Sequence, residues 1–217
     1  GALAAGVPGS VAGLVAAHQR FGRVPWNAVI GPAIRLAAEG SVVDSYRKES
    51  IEGDSVRLAL FPASRDAFMP GGKLPAPGST FTQPDLARTL EAIRDSGAAG
   101  FYRGRVADLI VAQMQRDGGL ISHADLEHYQ AEWRTPITIK YRKYTIYSMP
   151  PASSGGVTMG EIFNILEGYN PLPPFGSAEG LHLEAEAMRR AFTDRNIYLG
   201  DPALLEKRAQ GRNRAES

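Results

Sequence analysis

Ile137-Thr138-Ile139-Lys140-Tyr141-Arg142-Lys143-Tyr144-Thr145-Ile146-Tyr147-Ser148 decides the fold class, because here the chain changes its hydrophobic period. Apolar and polar residues alternate, and β-branched and aromatic side chains dominate, a pattern that suits strands and not helices. Arg142-Lys143 separates the two runs, so a two-stranded hairpin is expected, although its turn lacks the favoured glycine. Met149-Pro150-Pro151 and Ala152-Ser153-Ser154-Gly155-Gly156 follow, and helical spacing resumes from about Val157 to Leu166.

Outward from this hairpin the signals are helical. Upstream, Ser10 is placed to cap a helix from Val11 to Phe21, and Gly22 to end it. A second helix is expected from Pro25 to Glu39, stopped by Gly40 and kinked or broken at Pro32. A noisier helical pattern runs from Asp44 to Leu60. Residues Pro62 to Ser79, with Pro70-Gly71-Gly72 and Pro75-Ala76-Pro77-Gly78, read as loop. Pro84 opens a helix through Leu86, Leu90 and Ile93, closed by Gly97. Another spans about Gly104 to Arg116 and stops at Gly118-Gly119. Ser122 with Asp125 forms a short capping start. Downstream, Ser177 is an expected N-cap for a helix from Ala178 to Leu199, with Leu181, Ala185, Met188 and Phe192 as its apolar stripe. The fold class is therefore α+β, mainly helical with one β-hairpin.

Composition excludes several function classes. There are no cysteines, so disulfides, thiol nucleophiles and thiolate metal sites are ruled out. The 24 basic and 23 acidic residues nearly cancel, which gives no general attraction to nucleic acid or an anionic membrane. No apolar run approaches the roughly 18 residues of a membrane-spanning helix. Gly1 opens the chain without an initiator methionine or an export leader, which suggests a processed piece. The tail, residues 203–217, is polar and is expected to be disordered.

Few motifs point to chemistry. The glycines of Gly1 to Gly9 lack the Gly-Lys-Ser/Thr ending of a phosphate loop. His18, His123, His128 and His182 have no metal-ligand spacing and read as ordinary exposed histidines. Ser153-Ser154-Gly155-Gly156 precedes a helix, where free amides could suit an anion. The same residues also make an ordinary turn, in which serine caps and glycine allows close packing. A serine nucleophile would need a base and an orienting acid, and no spacing supplies them. Glu184, Glu186, Arg189, Arg190, Asp194 and Arg195 read as ion pairs on a solvated helix face.

Four segments, in order and in register, resemble the γ-glutamyltranspeptidase family. They are Gly6-Val7-Pro8-Gly9-Ser10-Val11-Ala12-Gly13; Gly118-Gly119-Leu120-Ile121 with Asp125-Leu126; Tyr147-Ser148-Met149-Pro150-Pro151-Ala152-Ser153-Ser154-Gly155-Gly156; and Ala191-Phe192-Thr193-Asp194-Arg195 through Asp201-Pro202. The resemblance covers residues 1–202 and implies the large-subunit portion of an N-terminal nucleophile hydrolase, an incomplete part of a four-layer αββα sandwich. It implies transfer of the γ-glutamyl group of glutathione or related amides to water or an amino-acid acceptor, through a threonine freed by autoproteolysis. It also implies a small-subunit partner carrying that threonine, no metal or organic cofactor, and a periplasmic or extracellular location.

The family's nucleophile lies downstream in a Thr-Thr-His-like motif. This chain has no Thr-Thr pair, and Thr193 is its last threonine. No catalytic residue is therefore assigned to any position here, and the isolated chain is expected to be inactive. Ser153, Ser154, Gly155 and Gly156 are expected to form a structural turn near the core, with Asp194 and Arg195 as helix-end anchors. A cephalosporin or glutaryl acylase of the same superfamily, or a non-catalytic truncated subunit, are the alternatives.

Overall fold

Where the sequence changes period, the computed structural model also changes architecture. It describes residues 1–200 and divides the chain into two compact units, one up to Glu132 and the other from Trp133.

The first unit is almost wholly helical. Its elements are α1 (Ser10–Phe21), α2 (Trp26–Glu39), β1 (Ser41–Val42), α3 (Ser45–Ala59), α4 (Pro62–Phe68), β2 (Thr80–Phe81), α5 (Pro84–Ser96), α6 (Ala99–Tyr102), α7 (Gly104–Asp117) and α8 (His123–Glu127). Helix α7 exists because Val106, Ala107 and Val111 recur on one face, and Gly118 ends it in the left-handed conformation at φ 69°. That face meets Tyr102, Ile121 and Leu126, the last fully buried. Helix α8 is started by a reciprocal capping box: Ser122 Oγ accepts from the Asp125 amide while the Asp125 carboxylate accepts from the Ser122 amide. The Ser122 hydroxyl, which donates to the same carboxylate at 2.6 Å, and then the Ser122 amide hold the Asp125 carboxyl below its usual range.

A second cluster joins α2 to α5 through Ile30, Ile34 and Ile93, and the Trp26 indole donates to the Ile93 carbonyl at 3.1 Å. Helix α2 runs on through Pro32 without a break. The missing amide costs one helical hydrogen bond, and buried Ile30, Ile34 and Ala37 hold both halves against the core. Strands β1 and β2 pair antiparallel, Ser41 opposite Phe81.

Two further expectations are corrected. Ser10 is the first helical residue and its side chain caps nothing; Gly9 holds the cap position. A Cβ at Gly9 would lie 2.1 Å from the Tyr129 hydroxyl, so any side chain there would push the Tyr129 ring aside. Residues Pro62 to Phe68, read as loop, are helix α4: Pro62 occupies the first turn, where its missing amide is harmless, and the Phe68 ring stacks on Phe81 at 6.3 Å.

The second unit contains β3 (Ile137–Tyr141), β4 (Tyr144–Ser148), α9 (Gly155–Glu167) and α10 (Ala178–Tyr198). The hairpin pairs in the register the alternation implies, from Ile137 opposite Ser148 to Tyr141 opposite Tyr144. Its turn manages without glycine because Arg142, at φ 53°, is tied down. The Arg142 amide donates to Glu167 Oε2 at 3.0 Å and its guanidinium to the Leu166 carbonyl at 3.3 Å, at the C-terminal end of α9. A cation there also complements the helix dipole.

Helix α9 covers the hairpin: Ile139 is buried beneath Gly160, and Tyr141 stacks on Phe163 at 4.7 Å. Helix α10 is capped by Ser177, whose Oγ accepts from the Gly180 amide at 3.1 Å, and it packs on α9. Its buried residues are Ala187 and Ala191, while the expected stripe is outside: Leu181 is 57% exposed, Met188 46% and Phe192 51%. The stripe follows helical spacing as expected, but the packed face is the one with small residues.

Candidate functional site

The turn before α9 is shaped by what surrounds its glycines. Gly156 is buried, and a Cβ there would lie 2.3 Å from the Met149 carbonyl and 3.1 Å from Ser148 Oγ. No side chain fits, so the strand end and the helix start approach backbone to backbone. Gly155 is exposed and meets only Ser153 Oγ, at 4.0 Å. The Ser153 amide closes a turn onto the Pro150 carbonyl at 3.2 Å, and the Arg134 guanidinium donates to the Pro151 carbonyl at 2.5 Å.

Ser154 sits at the N-cap position, with helical φ −82° and ψ −19°, and makes no side-chain cap. Capping serines are usually extended, which turns the oxygen back toward the helix amides. Here Ser154 Oγ instead accepts from Arg195 Nε at 3.0 Å. The Ser154 carbonyl takes both the amide and the hydroxyl of buried Thr158, at 3.0 and 2.9 Å.

Two residues from the sequence reading are thereby brought beside each other, Ser154 at the start of α9 and Arg195 near the end of α10. The Arg195 guanidinium also donates to Asn196 Oδ1 at 2.8 Å and lies 6.0 Å from the Phe192 ring centre. Asp194 meets a residue that sequence reading missed. It contacts the half-buried Glu161 of α9, whose carboxyl is raised above its usual range by burial and then by the Asp194 charge. In the protonated state Glu161 donates to Asp194. Nothing in the local sequence flags Glu161, because its partner is remote in sequence.

Beside this pair a shallow cavity of about 330 Å³ is lined by Glu161, Ile165, Arg189, Arg190, Thr193 and Asp194. Arg189 is occupied by Glu186 at 2.6 Å, one of the ion pairs expected on the solvated face. The histidines bond elsewhere: His18 Nε2 to the Val24 carbonyl, His123 Nε2 to Asp108, and His128 Nδ1 to the Ala124 carbonyl. Ser154 Oγ is bonded by a guanidinium, which cannot act as a base near neutral pH. The arrangement can brace two helices. It does not assemble a serine, a base and an orienting acid.

A family model described as gamma-glutamyltranspeptidase matches residues 1–213. This chain belongs to the gamma-glutamyltranspeptidase family. It is 44% identical over 209 residues to the glutathione hydrolase proenzyme of Pseudomonas sp. (strain A14), covering 95% of this chain and 36% of that protein. It is 40% identical over 207 residues to the acylase ACY 1 proenzyme of Pseudomonas sp. (strain V22), covering 95% of this chain and 37% of that protein. Among solved structures, Helicobacter pylori gamma-glutamyltranspeptidase superposes with a TM-score of 0.88 at 40% identity, over 93% of this chain and 58% of that one. The chain thus spans a little over a third of the length of these curated relatives. The family fold is that of the N-terminal nucleophile hydrolases, to which this chain contributes helices and the hairpin.

Among the described residues no helix is long and apolar enough to cross a membrane. The polar tail, 203–217, lies outside the described residues.

Proposed function

We propose that this chain is the large-subunit scaffold of an enzyme that transfers the γ-glutamyl group of glutathione or a related amide to water or an amino-acid acceptor. The nucleophilic threonine is carried by a small-subunit partner. The observation that carries the reading is the continuous family match over residues 1–213, together with 44% identity to a glutathione hydrolase proenzyme nearly three times as long as the matched segment. The geometry agrees with a scaffold role, because Ser154 Oγ bonds to Arg195 and Gly156 is filled by neighbouring backbone. Under this reading residues 153–156 form the turn that fixes α9 against the hairpin, and Asp194 and Arg195 anchor the end of α10.

The test is release of a chromogenic amine from a γ-glutamyl anilide. Loss of a catalytic nucleophile costs about a millionfold in rate, so the 217-residue chain alone should give no turnover above buffer. The complete protein should be active. Turnover by the chain alone would refute the assignment.

A second reading is supported by the 40% identity to an acylase proenzyme, close to the figure for the glutathione hydrolase. The complete protein, assayed in parallel on a γ-glutamyl anilide and a glutaryl-cephalosporin, separates the two: faster turnover of the cephalosporin would favour the acylase.

A further inference from the structure

A groove is lined wholly by residues of the first unit. It opens between α2, α3 and α5, has a volume of about 680 Å³, and is lined by apolar side chains such as Leu36, Ile51, Phe81 and Leu86 mixed with polar ones, among them Ser41, Asp44, Arg47 and Gln83. Ala37 and Ile51 form its buried floor, and Leu36 and Leu86 stand exposed at its rim. The volume falls in the range of small-molecule sites, about 300–1,000 Å³.

Arg47 is held by two fixed neighbours. Its Nη1 donates to Ser41 Oγ at 2.6 Å, and its guanidinium carbon lies 5.8 Å from the Phe81 ring centre. Among the described residues it has no carboxylate partner, unlike Arg57, Arg65, Arg88 and Arg94 of the same unit. A guanidinium carries five donors in a planar fork, so most of its capacity is unspent. Asp44 also lines the groove, and its carboxylate accepts from the Arg47 amide at 2.7 Å as the cap of α3. That fixed negative charge opposes a second anionic group on any occupant.

We propose that this groove binds a small monocarboxylate with an apolar tail, its carboxylate on the Arg47 fork and its tail along Leu36, Ile51 and Leu86. The leucine and isoleucine side chains of the lining, a pre-positioned cation and a nearby acid together select a single negative charge on a molecule with a hydrophobic tail. The site is separate from the γ-glutamyl reading and stands or falls without it.

Calorimetric titration of the full chain with octanoate, octanamide and octanedioate tests the proposal. Octanoate should bind saturably at one site. Loss of a charged hydrogen-bond pair costs roughly tenfold or more in affinity, so octanamide should bind at least about tenfold more weakly. Octanedioate should also be weaker than octanoate. Arg47→Gln should reduce octanoate to the octanamide level and leave octanamide unchanged. Ala33→Trp, at an exposed α2 position lining the groove, should abolish binding of both with Arg47 intact. Absence of saturable octanoate binding, or equal affinity for octanoate and octanamide, would overturn the proposal without reference to any variant. So would octanoate binding unaffected by Arg47→Gln.

Discussion

Helices α7 and α10 carry similar local signals and meet different fates. Both have apolar residues at helical spacing and a well-defined start or stop. In α7 the apolar face is the packed face, with Ala107 and Val111 buried against Tyr102, Ile121 and Leu126, and Val106 buried as well. In α10 the packed face carries Ala187 at 1% and Ala191 at 0% exposure, while Leu181, Met188 and Phe192 remain outside. Periodicity marks a face that gains from burial. It does not say that a partner within reach will bury it. Small residues on α10 let its backbone come close to α9, whereas the larger stripe would hold the helices apart.

The contrast can be broken most severely in the first unit. Leu126→Ala should destabilise it by about 2–5 kcal/mol, read from urea unfolding, because a fully buried side chain leaves a cavity. In the second unit the damaging change is the opposite one. Ala187→Leu should cost about 1–3 kcal/mol by overpacking the α9–α10 contact. If Ala187→Leu proved neutral, α9 and α10 would not be packed through their small residues.

A subtler lever is the Glu161–Asp194 contact. Burial and the Asp194 charge raise the folded-state carboxyl of Glu161, so the folded state prefers it protonated. Its contribution to stability is therefore full below the ordinary glutamate range and is lost as pH rises through the raised folded value. Glu161→Gln should accordingly raise the melting temperature at neutral pH, and the gain should vanish near pH 4. An equal gain at both pH values would exclude the carboxyl contact as its source. The smallest effect is expected on the exposed stripe, where Met188→Ser in the isolated chain should change stability by no more than about 0.5 kcal/mol. A loss of several kcal/mol there would mean that the stripe is packed after all.

Much of the local structure was legible in the residues themselves. The hairpin boundaries followed from alternation, Gly118 from its left-handed stop, and the α8 start from Ser122 and Asp125. Each of these depends on neighbours a few positions away. Helix α4 was missed because its prolines and the glycines after it outweighed a short helical run that is stabilised by Phe68 on Phe81, a contact across 13 residues. The candidate site was legible only as residue types. Ser154 was read as a cap, but its helical backbone turns the hydroxyl away from the amides and toward Arg195, 41 positions later.

By itself, then, the sequence determined most of the longer helices, the hairpin with its alternating faces, and the family, because these rest on local backbone preference and on motifs read in line. The tertiary structure decided which face of α10 is packed, that Glu161 meets Asp194, and that Arg195 reaches Ser154. Those outcomes depend on which surfaces are brought together in space, and helical period and capping chemistry carry no information about a partner dozens of residues away.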